Sequence, residues 1–181
     1  MPLLPKQFNY LATKAGPRVL IEALRWFGVK EAPGPNIDNP AILAWAAFVG
    51  ASSYYKHDAT PWCALFISFV VKMAGFALPN DPLRALSWAR FGTAVPAGQA
   101  ALGDILVMER DGGGHVTMYV GEDTHYYYGL GGNQGDAVCI AAFPKARITH
   151  VRRCPWKVSQ PDEVRAVHVN AAGVVKAVSE S

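Results

Sequence analysis

The chain has 181 residues, of which 51% are apolar and 17% are charged, with 13 Pro and 17 Gly scattered along it. This size and composition suit one globular domain with a hydrophobic core, and they exclude a chain that is mostly disordered. The net charge is +3, and no Lys/Arg run is longer than Arg152-Arg153. These features argue against a nucleic-acid partner, while a weakly basic protein suits an anionic polymer.

No stretch of the sequence has the features of a membrane-spanning helix. The longest nearly uncharged segment, residues 60–77, contains Pro61 and Lys72 and is shorter than the about 20 apolar residues that a spanning helix needs. We expect it to form a buried helix. Residues 1–17 lack the apolar run of a secretory signal, so we expect synthesis in the cytoplasm and another export route for any action outside the cell.

The first half of the chain has the spacing of helices, because apolar residues recur three and four positions apart between capping signals. Asn39 is a predicted N-cap with Pro40 in the first turn. The segment from Pro61 to Ala74 is apolar almost all round, so we expect it to be the central helix. The four predicted helices are residues 17–28, residues 40–49, residues 61–74 and a shorter one within residues 81–92.

After Pro96 the pattern changes to a period of two, with β-branched and aromatic residues, which predicts strands. The predicted strands are residues 104–110, 115–121, 125–130, 137–143 and 147–153. Short links rich in turn-forming residues favour an antiparallel meander. Helices followed by strands predict a single α+β domain over residues 1–156. The polar C-terminal extension, residues 157–181, either adds a strand at 164–169 or frays.

Cys63 is the candidate nucleophile of the sequence. It lies in the first turn of the predicted central helix, where unpaired backbone N–H groups and the helix dipole stabilise a thiolate. The competing interpretation is a structural cysteine, because free Cys is among the most buried residue types. A catalytic Cys also requires a His partner elsewhere in the chain.

His115 is the candidate partner of that thiol. It follows three glycines and opens a predicted strand, so its ring can project from the sheet into a cleft. A neutral imidazole can accept the thiol proton and later return it to a leaving amine. The alternative is a surface histidine beside a flexible turn.

The register of the predicted hairpin indicates which residue orients His115. His115 and Asn133 are equally distant from residue 124 in the turn, so an unbulged hairpin places their Cβ atoms about 5 Å apart. We therefore expect the Asn133 amide to hold the imidazole in one tautomer. Gln134 points to the other face unless a bulge intervenes, and Gly131-Gly132 allow one. The competing interpretation of Asn133 is an ordinary turn residue.

Asp58 and several aromatic residues flank the candidate site. Asp58 lies five residues before Cys63 and can cap the central helix, orient the site or bind a substrate amine, with capping favoured. Trp62 and Trp88 are candidate substrate-binding residues for a sugar or peptide chain, and core packing is the alternative. The aromatic residues that can contribute to such a groove are Tyr54, Tyr55, Trp62, Trp88 and Tyr126 to Tyr128.

These residues stand in segments that resemble the papain-like cell-wall hydrolases of the CHAP and NlpC-type superfamily, in particular a small phage and bacterial subgroup. The resemblance covers roughly residues 30–153. The ordered motifs that carry it are Asp38-Asn39-Pro40, Pro61-Trp62-Cys63-Ala64-Leu65-Phe66, Ala85-Leu86-Ser87-Trp88, Gly103-Asp104-Ile105, Gly114-His115-Val116 and Leu130-Gly131-Gly132-Asn133-Gln134.

The resemblance implies a papain-like α+β domain in which N-terminal helices pack on an antiparallel sheet. It also implies a cysteine peptidase or amidase of bacterial peptidoglycan, with Cys63 as nucleophile, His115 as base then acid, and Asn133 orienting His115. No metal or cofactor is implied. Release to the wall by a phage holin would suit an endolysin, and secretion-system delivery would suit a lytic effector with an immunity protein as partner.

Three alternatives stay open at this level. The first is a papain-like hydrolase of another amide, such as a protein isopeptide bond. The second is a catalytically inactive binding domain of the same fold, with Cys63 as a core residue. The third is a metal site that uses Cys63, His115 and a further His, which is disfavoured because the spacing fits no common zinc pattern. Cys139 and Cys154 are expected to stay reduced in a protein made in the cytoplasm.

Overall fold

The structure is a computed structural model that describes residues 3–13, 16–34, 37–110, 112–156 and 166–169. Within these ranges, helices accompany a six-stranded antiparallel sheet, which is the α+β architecture that the sequence predicts. The α-helices are α1 (Arg18–Leu24), α2 (Pro40–Val49) and α3 (Cys63–Met73). The 3-10 helices are Lys6–Ala12, Ala85–Arg90 and Lys145–Arg147.

The strands lie in the order β1-β6-β2-β3-β4-β5 across the sheet. Their bounds are β1 (Thr93–Ala94), β2 (Ile105–Arg110), β3 (Gly113–Glu122), β4 (Tyr126–Gly131), β5 (Cys139–Pro144) and β6 (Ile148–Arg153). The five predicted strands are present with ends shifted by no more than two residues, and the short β1 has no counterpart among the predictions.

Local signals set the bounds of α2 as predicted. The Asn39 side chain accepts a hydrogen bond from the Ala41 N–H at 2.8 Å, and Pro40 occupies the first turn. Gly50 ends the helix in the left-handed conformation with a φ of 86°, which glycine adopts without a steric penalty. The N-cap and the first turn predicted from the sequence are both confirmed.

The helix α3 occupies the centre of the fold, as its uniformly apolar sequence predicts. All of its residues from Cys63 to Val71 are buried, and it contacts α1, α2, β3 and β4. Trp62 is its N-cap residue, and no side chain caps the first turn. The first backbone N–H groups of α3 therefore remain available at the position of Cys63.

Three predicted helices are shorter in the structure. The central helix, predicted over residues 61–74, spans Cys63–Met73. α1 ends at Leu24 rather than Gly28, because the Gly28 N–H donates to the Val138 carbonyl at 2.8 Å and the chain then follows the sheet. The fourth predicted helix is the 3-10 helix Ala85–Arg90. The 3-10 helix Lys6–Ala12 has no counterpart in the prediction.

The last strand departs from the predicted meander. β2 to β5 pair in chain order, but β6 returns to pair with β2, so the meander prediction is wrong for this strand. Met108 of β2 shares one apolar cluster with Ala141 and Phe143 of β5, and Ile148 of β6 packs against it, so the sheet curves enough to bring these strands together. Burial of this apolar surface favours β6 beside β2, a preference that turn signals do not contain.

The two sides of β3 have different roles. The even-numbered residues from Val116 to Val120 belong to the main core beneath the helices. The odd-numbered residues from His115 to Tyr119 point to the other side, which we call the inner face of the sheet. Side chains at the start of β3 therefore alternate between the helices on one side of the sheet and the inner face on the other.

A short piece of the C-terminal extension lies against the far end of β3. The Glu122 N–H donates to the Val167 carbonyl, and the Val169 N–H donates to the Glu122 carbonyl, each at 2.8 Å. Of the strand predicted at 164–169, residues 166–169 are described and the rest lies outside the described residues. No helix among the described residues has the length and apolar character needed to cross a membrane.

Candidate active site

The structure brings Cys63 and His115 together. Cys63 is the first residue of α3, and His115 is the third residue of β3. The Cys63 thiol is hydrogen-bonded to His115, and the backbone N–H groups of Ala64 and Val116 also bond to its sulfur. A thiol and an imidazole from separate elements therefore meet where α3 begins and β3 begins.

Opposing influences act on the pKa of Cys63. Burial raises this pKa and is the largest single influence. The hydrogen bond and charge of His115, together with the backbone N–H groups of Val116 and Ala64, act in the other direction. Their sum outweighs burial, so the pKa of Cys63 lies below the ordinary value of a thiol.

The other two cysteines have the opposite electrostatic character. All three cysteines are free thiols. Burial raises the pKa of Cys139, and it raises the pKa of Cys154 to about 12. Cys63 is therefore the cysteine whose surroundings favour the reactive thiolate.

Gln134 holds the imidazole of His115. Gln134 Oε1 lies 3.2 Å from His115 Nε2. The Gln134 amide nitrogen donates to the carbonyls of Gly129 at 3.1 Å and Cys139 at 2.7 Å, which fixes the orientation of the amide. An amide oxygen only accepts, so His115 Nε2 must carry the proton of this bond, and Nδ1 is the nitrogen that can receive the thiol proton.

Aromatic packing also fixes the imidazole. The ring of His115 stacks on Phe143 with 5.5 Å between centroids and 29° between planes. Cys63 is 6% exposed, and His115 and Gln134 are each 1% exposed. The thiol and the imidazole are therefore largely desolvated.

The structure corrects the predicted orientation of Gln134. The register Met118 opposite Leu130 is the one that the sequence predicts, but β4 ends at Gly131. Asn133 then has a φ of 56°, a left-handed conformation, and the turn places the Gln134 side chain on His115. Strand parity fails beyond the last paired residue, and Gly131-Gly132 was the sequence signal for that irregularity.

Asp58 has a structural contact that the sequence does not indicate. Its Oδ2 accepts hydrogen bonds from the backbone N–H groups of Ala32 and Asn39, both at 2.8 Å. The prediction that it caps the central helix is wrong, since no side chain caps α3. Its buried carboxylate instead fastens the segment that precedes α2.

Trp62 and Trp88 belong to the core rather than to a substrate groove. Both are completely buried. Trp62 Nε1 donates to the Glu31 carboxylate at 2.6 Å, and Trp88 Nε1 donates to the Pro82 carbonyl at 2.9 Å. Neither ring offers a face to a ligand, so the core-packing alternative is the correct one. Among the flanking aromatic side chains, Tyr54 is clearly exposed, at 64%.

Among the described residues, no group of three or more His, Cys, Asp or Glu side chains is arranged to hold a metal ion.

Comparisons with known proteins return no matching family model and no matching curated protein. Among solved structures, the chain is similar to the P60 domain of an antigen from M. avium paratuberculosis, with 17% sequence identity and a TM-score of 0.47. That match covers 82% of this chain and 96% of the other.

Proposed function

We propose that the protein is a papain-like cysteine hydrolase that cleaves amide bonds of bacterial peptidoglycan, as an endopeptidase or an amidase. The observation that carries the proposal is the Cys63 thiol, which is hydrogen-bonded to His115 and has a lowered pKa. Burial alone raises the pKa of a core cysteine, as it does for Cys154. The resemblance of the sequence motifs to cell-wall hydrolases supports the substrate class.

The first half of the reaction forms an acyl-enzyme. The Cys63 thiol passes its proton to Nδ1 of His115, and the thiolate attacks the amide carbonyl carbon. The backbone N–H of Cys63, in the uncapped first turn of α3, can donate to the oxyanion of the tetrahedral intermediate. The imidazolium then returns the proton to the leaving amine as the C–N bond breaks.

The second half of the reaction releases the acid product. His115 accepts a proton from a water molecule, whose oxygen attacks the thioester carbonyl. The new tetrahedral intermediate collapses, the C–S bond breaks, and the proton returns to the Cys63 sulfur. Nδ1 must stay directed at the sulfur through both halves, which the bond of Nε2 to Gln134 favours.

We assign the orienting role to Gln134, with Asn133 as the alternative from the sequence. Asn133 is as deeply buried as Gln134, so burial does not discriminate between the two amides. The observation that favours Gln134 is the hydrogen bond between its Oε1 and the imidazole of His115. Loss of a hydrogen bond to a charged group costs about 10- to 100-fold in rate.

The test of the reaction is digestion of purified peptidoglycan sacculi, followed by mass spectrometry of the released fragments. We expect fragments with a newly exposed amine and carboxylate, and none with Cys63→Ala or His115→Ala. The identity of the new ends gives the scissile bond. Intact sacculi, together with a Cys63 thiol that reacts no faster than a free thiol, would overturn the proposal.

The test of the orienting residue compares two matched variants. Asn133→Gly removes the amide without strain, because glycine adopts the left-handed conformation freely. Gln134→Ala removes the amide that bonds His115. We expect a loss of about 10- to 100-fold in kcat/KM for Gln134→Ala and a much smaller loss for Asn133→Gly. The reverse order would return the role to Asn133.

A further inference from the structure

A basic cavity lies beside the candidate active site. It has a volume of about 420 Å³ and lies between the 3-10 helix Ala85–Arg90 and β6. Its lining residues are Arg84, Leu86, Ser87, Ala89, Arg90 and His150. We call it the basic groove. It carries two guanidinium groups, an imidazole and a hydroxyl, and its lining residues within the described part of the chain include no acidic side chain.

The basic groove carries arginines that no acidic side chain of the described residues pairs with. Among the described residues, neither Arg84 nor Arg90 takes part in an ion pair, although both are exposed. Arg153 differs, because its guanidinium bonds both oxygens of Asp104 at 2.8 and 2.7 Å. A guanidinium keeps its charge at all relevant pH values and matches a carboxylate with two parallel N–H donors. The groove thus has the chemistry of an anion site.

The fold places the basic groove close to the catalytic pair. Leu86 lines the groove and also covers Gly114, the neighbour of His115, since a Cβ added to Gly114 would lie 2.5 Å from Leu86 Cδ2. His150 of β6 is opposite Val107 of β2, which is opposite Val116 of β3. Strands lie about 4.8 Å apart, so His150 is about 10 Å from β3.

The groove and the nucleophile also lie on the same side of the sheet. The 3-10 helix Ala85–Arg90 and α3 both contact β3, and their buried side chains share one core. The Ser68 hydroxyl of α3 donates to the Pro82 carbonyl at 2.9 Å, which joins α3 to the segment leading into the 3-10 helix. The 3-10 helix that lines the groove is therefore packed against the helix that carries Cys63.

We infer that the basic groove binds a carboxylate of the substrate peptide and so selects peptides with free acid groups near the scissile bond. This inference rests on the proposed function and names its substrate class more closely. Stem peptides of peptidoglycan carry such free carboxylates, and amidation of those groups removes the charge. Because the groove residues do not include Cys63, His115 or Gln134, loss of this contact raises KM and leaves kcat near the wild-type value.

The experiment compares one set of soluble peptidoglycan fragments before and after chemical amidation of their carboxylates. The variants are Arg84→Gln, Arg90→Gln and the double variant. Arg18→Gln is the matched control, because it removes the same charge from an exposed arginine on α1. We expect the wild type and the control to prefer free carboxylates by at least about tenfold in kcat/KM. The double variant should lose this preference through KM.

A binding measurement separates failure of this inference from failure of the proposed function. Titration calorimetry with Cys63→Ala measures binding of the same fragments without cleavage. Fragment binding that depends on Arg84 and Arg90, and weakens with added salt, supports the groove even if the wild type cleaves nothing. Equal binding of free and amidated fragments, or a double variant that keeps the preference, would overturn the inference. Unchanged circular dichroism of the double variant verifies its fold.

Discussion

Replacing Gly131 by alanine should disable the candidate site while the fold persists. An added Cβ would lie 2.4 Å from Gln134 Oε1 and 2.5 Å from Thr117 Oγ1, where ordinary contacts begin at 3.4 Å. The Gln134 amide must therefore withdraw by about 1 Å to restore normal contact. It cannot do so and keep its bonds, because its nitrogen is held by the carbonyls of Gly129 and Cys139.

The magnitude follows from that displacement. The bond between Gln134 Oε1 and His115 Nε2 is 3.2 Å long, and a further 1 Å takes it beyond hydrogen-bonding distance. Misplacement of a catalytic group by about 1 Å costs on the order of 100-fold in rate. We expect this loss in kcat with little change in KM, because in the proposed reaction Gln134 positions the base and does not bind substrate. Overpacking should lower the free energy of unfolding by about 1–3 kcal/mol.

Two other glycines provide the controls. Gly113 opens β3 beside the same site, and a Cβ added there meets nothing within 4 Å. Gly113→Ala should therefore keep near wild-type activity. A Cβ on Gly132 would lie 2.6 Å from both Trp62 and Phe66, so Gly132→Ala should lower the melting temperature. The assay is cleavage of soluble peptidoglycan fragments, with thermal unfolding measured in parallel. Wild-type kcat in Gly131→Ala, or an equal loss in Gly113→Ala, would refute the reasoning.

Three further predictions concern stability and pH. Thr117 Oγ1 is buried without a hydrogen-bond partner among the described residues. Because Thr117→Val removes this unsatisfied hydroxyl, it should raise the free energy of unfolding in urea by about 1 kcal/mol. A decrease would contradict this prediction. The lowered pKa of Cys63 means that alkylation by a small reagent should reach half its maximal rate below pH about 8.5. His115→Ala removes two of the interactions that lower the pKa of Cys63 and leaves burial, which raises it. The pH at which alkylation reaches half its maximal rate should therefore rise. An unchanged half-maximal pH would show that His115 does not lower the pKa of Cys63. Asp58→Ala leaves the backbone N–H groups of Ala32 and Asn39 without their partner, so it should lower the free energy of unfolding by about 2–4 kcal/mol. Asp58→Asn should recover part of that loss. Equal stability of Asp58→Ala and the wild type would show that water replaces these bonds.

The sequence by itself determined the features that depend on a few neighbouring residues. Asn39 caps the first turn of α2 and Gly50 ends its last turn, so the bounds of this helix follow from capping chemistry. The apolar character of α3 required its central position, because no face of that helix suits water. Period-two alternation located the strands. The candidate pair Cys63 and His115 followed from the start of a helix and the start of a strand.

The tertiary structure decided everything that depends on contacts distant in sequence. β6 lies beside β2, where its Val151 and Ile148 join apolar clusters with Leu106 and Met108, and turn signals between consecutive strands do not encode that pairing. Gln134 reaches a histidine 19 residues away because β4 ends and the backbone turns at Asn133. The pKa of Cys63 is a balance between burial and four favourable interactions, three of them made by β3. The periodicity of apolar residues indicates which face of a helix or strand is buried. Strand pairing, the contact between Gln134 and His115 and the pKa of Cys63 are set only when separate elements come into contact.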